Sequence, residues 1–88
     1  MDSSQILILI GRDDCPLCEE MRATLDEVLP HQGVEVQERN VDEDPELKRV
    51  YGDEIPVLLL GDREVVRHRV TAEDLRRRLA RMGLGSPT

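Results

Sequence analysis

Cys15 and Cys18 are the only cysteines in a chain of 88 residues, and two residues stand between them. Thiols at that spacing can close into a disulfide and open again. Pro16 follows the first cysteine, and an amphipathic helical pattern begins there, so both sulfurs fall on the first turn of a helix. A helix N-terminus has unpaired N–H groups and a partial positive charge, which favour a thiolate over a thiol. Proline at the first helical position forfeits no hydrogen bond, because that N–H has no partner within the helix. The pattern predicts an outer Cys15 sulfur open to solvent and an inner Cys18 sulfur within reach to attack it. Thiol–disulfide exchange needs a thiolate, an accessible sulfur and a second thiol that releases the mixed disulfide. This segment can supply all three.

Neighbouring charges bear on that chemistry. Arg12 carries a planar fork suited to a carboxylate, either a ligand's or that of Asp13 or Asp14. Together with the helix terminus it would lower the Cys15 pKa, whereas Asp13 and Asp14 oppose the shift because like charge disfavours a thiolate. His31 and His68 read as surface residues, with His68 on an edge strand away from Cys15. Two cysteines and two distant histidines are a poor match to the four ligands of a structural zinc site.

The elements that must hold the cysteines follow from periodicity. Residues 5–10 read as a buried central strand, because Ile6 to Ile10 are an unbroken apolar run, and residues 11–14 form the loop to Cys15. Leu17, Met21, Leu25, Val28 and Leu29 recur at helical spacing over residues 16–29, and residues 30–33 end that helix. Residues 34–40 alternate as a second strand. Asp44-Pro45 starts a short helix whose apolar stripe is Leu47, Val50 and Tyr51, with Tyr51 as its core anchor and Gly52 as its stop. Residues 57–60 and 64–70 form a hairpin about Gly61-Asp62. Thr71 caps a last helix that buries Leu75, Leu79 and Met82 and stops at Gly83, leaving residues 84–88 as a frayed tail. The expected order is β-α-β-α-β-β-α. A strand–helix–strand start requires a right-handed crossover and a parallel pair. The fold class is α/β, a four-stranded mixed sheet with helices on both faces.

Composition narrows the field. The length suits one domain, residues 1–88, with an ordered core over about 5–83. With one Tyr, no Phe and no Trp, the core must be built from Leu, Ile and Val. A net charge of −7 argues against nucleic acid as a partner. Residues 1–62 carry 16 acidic and 5 basic side chains, residues 63–88 carry 3 and 7, so the basic excess lies toward the C-terminal helix and the strand before it. That excess reads as a solvated helix face. The longest apolar run is five residues, against roughly 20 for a membrane helix; no basic n-region precedes it and no small-residue cleavage site follows it. The expectation is a cytoplasmic monomer that meets neither membrane nor nucleic acid.

The element order, with Cys15-Pro16-Leu17-Cys18 between the first strand and first helix, resembles the thioredoxin superfamily and, within it, the glutaredoxins. Gly11-Arg12-Asp13-Asp14-Cys15-Pro16-Leu17-Cys18 is similar to the glutaredoxin active-site segment, and Tyr51-Gly52-Asp53-Glu54-Ile55-Pro56-Val57-Leu58 to the superfamily's cis-proline segment. The resemblance covers residues 5–82. It implies a thiol–disulfide oxidoreductase with Cys15 as nucleophile and Cys18 as resolving thiol. Pro56 would be cis and face the cysteines, Ile55 would offer its backbone to an extended ligand, and Arg12, Pro16 and Leu17 would line the substrate site. No bound cofactor is implied, with glutathione a candidate co-substrate. The partners are a disulfide-bearing protein or small molecule and an electron donor, either glutathione or a flavoprotein reductase. Leu17 stands where many glutaredoxins have Tyr, and His68-Arg69-Val70-Thr71 occupies the stretch where they carry a Gly-Gly pair against glutathione. Two other classes fit the cysteine pair. One is a redox-sensing adaptor without turnover; the other is a thiolate metal or iron–sulfur protein, its cluster shared between two protomers.

Overall fold

The computed structural model describes residues 6–29 and 34–84. Its first strand, β1 (Ile6–Gly11), is an inner strand of a four-stranded sheet, and its lack of polar alternation suits a strand covered on both faces. Leu7 and Leu9 turn to one layer of the core, Ile8 and Ile10 to the other. Beyond the site loop, α1 (Pro16–Val28) buries Cys18, Met21, Leu25 and Val28 at three- and four-residue spacing. The chain returns through β2 (Glu35–Asn40), parallel to β1 with Gly11 opposite Asn40. A 3-10 turn at Val41–Glu43 leads into α2 (Pro45–Tyr51). Then come β3 (Val57–Leu60), β4 (Arg63–Arg67) and α3 (Ala72–Arg81). The sheet order is β2-β1-β3-β4, with β3 antiparallel to both of its neighbours.

Helices cover both faces, as the apolar pattern requires. On one side Leu25, Leu75 and Leu79 close over Leu7, Leu9, Leu58 and Leu60. On the other, Leu47 and Tyr51 pack over Ile10, Val41, Val57 and Leu59. The helix starts match their sequence signals. Asp44 Oδ1 accepts the Glu46 and Leu47 N–H groups at 3.0 and 3.2 Å, and Thr71 Oγ1 accepts the Asp74 N–H at 3.1 Å. Each cap satisfies donors that the first helical turn leaves unpaired.

Three expectations are corrected. The fourth strand ends at Arg67 rather than at residue 70, because His68 adopts a left-handed φ of 70° that no continuing strand can hold. The ladder also skips a residue, so that Leu58 opposes Val66 while Leu59 opposes Glu64. That bulge lets Val65 and Val66 both enter the core. Val50 is 49% exposed, because on a helix of seven residues only the Leu47–Tyr51 edge meets the sheet. Leu84 is not frayed but 1% exposed. Gly83, at φ +84°, reverses the chain, and the Leu84 N–H donates to Leu79 O at 2.9 Å, so the side chain folds back into the core. The strand start at residue 5, the helix stop at residues 30–33 with His31, and tail residues 85–88 lie outside the described residues. Among the described residues no helix is long and apolar enough to cross a membrane.

Candidate functional site

β1 delivers the site. At Gly11 the sheet ends, and Arg12, Asp13 and Asp14 carry the chain across to Cys15, with Asp14 at a left-handed φ of 59°. Cys15 is the N-cap of α1 and keeps an extended backbone (φ −113°, ψ 105°). Pro16 and Leu17 take the first two helical positions, which places Cys18 third and turns its side chain back toward the cap. The two cysteines are joined by a disulfide, with Cα atoms 5.2 Å apart. Cys15 Sγ accepts the Cys18 N–H at 3.1 Å, so the sulfur fills the role usually taken by a capping oxygen. Cys18 is buried and Cys15 half-buried, while Pro16 is exposed beside them. The pair therefore differs in access: the outer sulfur can meet a partner and the inner one lies against β1.

Ile55 and Pro56 reach the same end of the sheet from β3. Val57 pairs with Ile10, which brings Pro56 to the level of Gly11. The Ile55–Pro56 peptide is cis. Two contacts from His68 pin this segment. Its backbone N–H donates to Pro56 O at 2.8 Å, and its Nε2 lies 3.1 Å from Glu54 Oε1. Arg67 Nη1 reaches that same oxygen at 3.1 Å. His68 thus leaves the edge strand expected of it and holds the proline segment. A lone histidine four residues before a helix gives no such signal in sequence.

Arg12 faces neither Asp13 nor Asp14. Its Nε and Nη2 donate to Asp42 Oδ2 and Oδ1, both at 3.2 Å, and Lys48 Nζ stands 3.7 Å from the same Oδ1. This fork joins the site loop to the 3-10 turn that follows β2. Arg12 pairs with Asp42 rather than with its sequence neighbours because the parallel crossover brings that residue beside the site loop. Arg22 of α1 forms an ion pair with Glu38 of β2.

One groove reaches Cys18, and another lies along α1 from Leu17. The first, about 940 Å³, runs past Gly11, Arg12, Cys18, Arg22 and Glu38. The other, about 420 Å³, lies between α1 and the β4–α3 connection, lined by Leu17, Met21, His68, Arg69 and Thr71. Among the described residues no three His, Cys, Asp or Glu side chains are arranged to hold a metal.

One titration at the rim of the site has a definite sign. The Arg67 guanidinium donates two hydrogen bonds to Glu64, at 2.7 and 2.6 Å, and this holds the Glu64 carboxyl below its ordinary value; slight burial opposes the shift. The folded form therefore binds this proton less readily than the unfolded chain. The stabilisation is present above the ordinary glutamate value and fades as pH falls through the lowered one. The pair is about 40% exposed, so its worth is small. Carboxyl NMR should place the Glu64 midpoint below the ordinary value, and Arg67→Gln should return it there. A midpoint that Arg67→Gln leaves in place would contradict the assigned cause.

No functionally curated protein matches the chain. Among solved structures, it is similar to a Nitrosomonas europaea protein solved by NMR, at 29% identity and a TM-score of 0.73, covering 88% of this chain and 93% of that one. An X. campestris protein solved by X-ray has the same identity and a TM-score of 0.75, covering 92% and 99%. Thioredoxin 1 of Thermosipho africanus aligns at 13% identity with a TM-score of 0.65, over 88% and 92%, which speaks for the fold alone. The family of the glutaredoxin-like domain (DUF836) matches residues 6–80, from the first residue of β1 almost to the end of α3. The chain therefore belongs to that glutaredoxin-like family, and its fold is the one thioredoxins share.

Proposed function

We propose that this protein is a dithiol oxidoreductase that reduces protein or small-molecule disulfides. One observation carries the reading: the half-buried Cys15 caps α1 with its sulfur, while the buried Cys18 stands three residues on at bonding distance. The helix terminus and the Cys18 N–H both favour negative charge on Cys15 Sγ. The Cys15 thiolate attacks one sulfur of a substrate disulfide R–S–S–R′. A Cys15–S–S–R bond forms and R′–S⁻ leaves, taking up a proton from water. Cys18 gives its proton to solvent and attacks Cys15 Sγ, so the Cys15–Cys18 disulfide forms and R–S⁻ departs. The substrate gains two electrons and the cysteine pair loses them. An external thiol or a flavoprotein reductase then restores the dithiol.

Substrate lies along Pro16, Leu17 and the Ile55–Pro56 segment, where the backbone of Ile55 offers pairing to an extended peptide. Glutathione is the candidate co-substrate, with Arg12 as the partner for one of its carboxylates. Asp42 holds that fork, but an exposed pair of this kind is worth only about 0.2–1 kcal/mol, so a ligand carboxylate can displace it.

The test is NADPH-coupled turnover in two arms. One supplies a small mixed disulfide with glutathione and its reductase, the other a protein disulfide with a thioredoxin-type reductase. Turnover in the first arm supports the glutathione route, and turnover only in the second assigns the donor to a flavoprotein. A protein that oxidises and re-reduces its cysteines yet turns over in neither arm would overturn the enzyme reading in favour of a redox-sensing adaptor.

A further inference from the structure

Gly11 lies directly against the Cys18 side chain. It is the last residue of β1, opposite Asn40, and its backbone lies outside the left-handed region that only glycine enters freely. Conformation therefore does not demand glycine here. Space does. A Cβ at this position would lie 2.8 Å from Cys18 Sγ and 3.2 Å from Cys18 Cβ, and real Cβ atoms essentially never come within 3.0 Å of another heavy atom. The atom in the way is not the free end of a flexible side chain. Cys18 Sγ is bonded to Cys15, and Cys18 is 8% exposed on the first turn of a helix whose next buried positions, Met21 and Leu25, are locked in the core. Neither the sulfur nor the helix can yield without opening the disulfide or lifting α1 from β1.

Building on the dithiol reading, we propose that Gly11 is a positioning residue for Cys18: the missing side chain leaves the seat in which the resolving sulfur lies when it closes onto Cys15. Its effect falls on the second exchange step, in which the Cys18 thiolate attacks Cys15 Sγ and expels R–S⁻. The first step, attack by Cys15 on the substrate, needs no room at Gly11.

The experiment uses the full chain with Gly11→Ala, alone and combined with Cys18→Ala. Closure is read as the equilibrium of the Cys15–Cys18 disulfide against dithiothreitol, and resolution as the decay of a preformed Cys15 mixed disulfide followed by mass spectrometry. Overpacking a tight site typically costs enough for a change of about tenfold or more. Gly11→Ala should shift the equilibrium toward the dithiol and slow the decay by that factor, while alkylation of Cys15 in the reduced protein stays within about twofold. The loss of thermal stability should be smaller when Cys18→Ala has removed the sulfur. Unchanged closure, or an equal loss of stability with and without the sulfur, would overturn the proposal and leave Gly11 as ordinary packing. Should Gly11→Ala alone fail to fold, recovery of folding in the double variant supports the seat, and no recovery overturns it. The dithiothreitol equilibrium requires no turnover. Failure of the enzyme reading would appear as a wild type inactive in both reductase arms, distinct from unchanged closure in Gly11→Ala.

Discussion

Cys15→Ser should lower turnover on every disulfide substrate by at least about 10³-fold, because a serine hydroxyl at neutral pH has neither the charge nor the softness of a thiolate. The substitution is mild for the fold: Cys15 is half-buried at a helix cap, where a serine oxygen can accept the Cys18 N–H in place of sulfur. Melting temperature in the reduced state should therefore change little while activity disappears, which separates lost chemistry from lost structure. Cys18→Ser should behave differently. Its mixed disulfide with substrate should accumulate on Cys15, since no inner thiol remains to release it. With glutathione present, an external thiol can resolve that species and turnover should persist. With only a flavoprotein reductase as donor, it should stop after one equivalent. Mass spectrometry of the trapped adduct and steady-state rates in the two reductase arms check both variants. Residual activity in Cys15→Ser that Cys18→Ser abolishes would reverse the roles assigned to the two sulfurs.

Leu84→Ala should cost about 3 kcal/mol, the range found when a buried leucine is cut back and its cavity only partly collapses. Leu84 is 1% exposed and belongs to the same apolar cluster as Leu75 and Leu79. Removing it unseats the turn that closes α3, and α3 in turn packs against α1, the helix that carries both cysteines. For a domain of this size each kcal/mol moves the midpoint by roughly 4–8 °C, so the melting temperature should fall by about 12–24 °C. Val50→Ala is the control, since Val50 is half exposed and a surface truncation usually stays within about 0.5 kcal/mol. Thermal or urea unfolding of the reduced protein decides the matter. If the two variants lose equally little, Leu84 does not hold α3 in solution.

The elements and the placement of the cysteine pair are legible along the chain, because both are written in local patterns. Cys15 and Cys18 need only a helix start to share one turn, and Pro16 marks that start. Asp44 and Thr71 cap the second and third helices through N–H groups two or three residues away, contacts that no distant residue has to arrange. The apolar runs at residues 6–10 and 57–60 announce strands covered on both faces, and the interposed helix makes the first crossover parallel.

Pairings between segments far apart in the chain arise only when the fold assembles. Arg12 meets Asp42 because the parallel return sets the turn after β2 beside the site loop, and thirty residues of sequence hide that proximity. His68 pins Glu54 and Pro56 because β4 bulges at Val65 and ends early. Periodicity cannot show this, since a bulge shifts the strand's alternation by one residue. Leu84 reads as tail until a left-handed glycine folds it back onto a core assembled from other elements. Gly11 looks like an ordinary loop glycine until sheet register and helix placement bring the Cys18 sulfur against it. Local free energies choose each element, whereas register, crossover and packing choose its neighbours, and at this site the neighbours set how the two sulfurs meet.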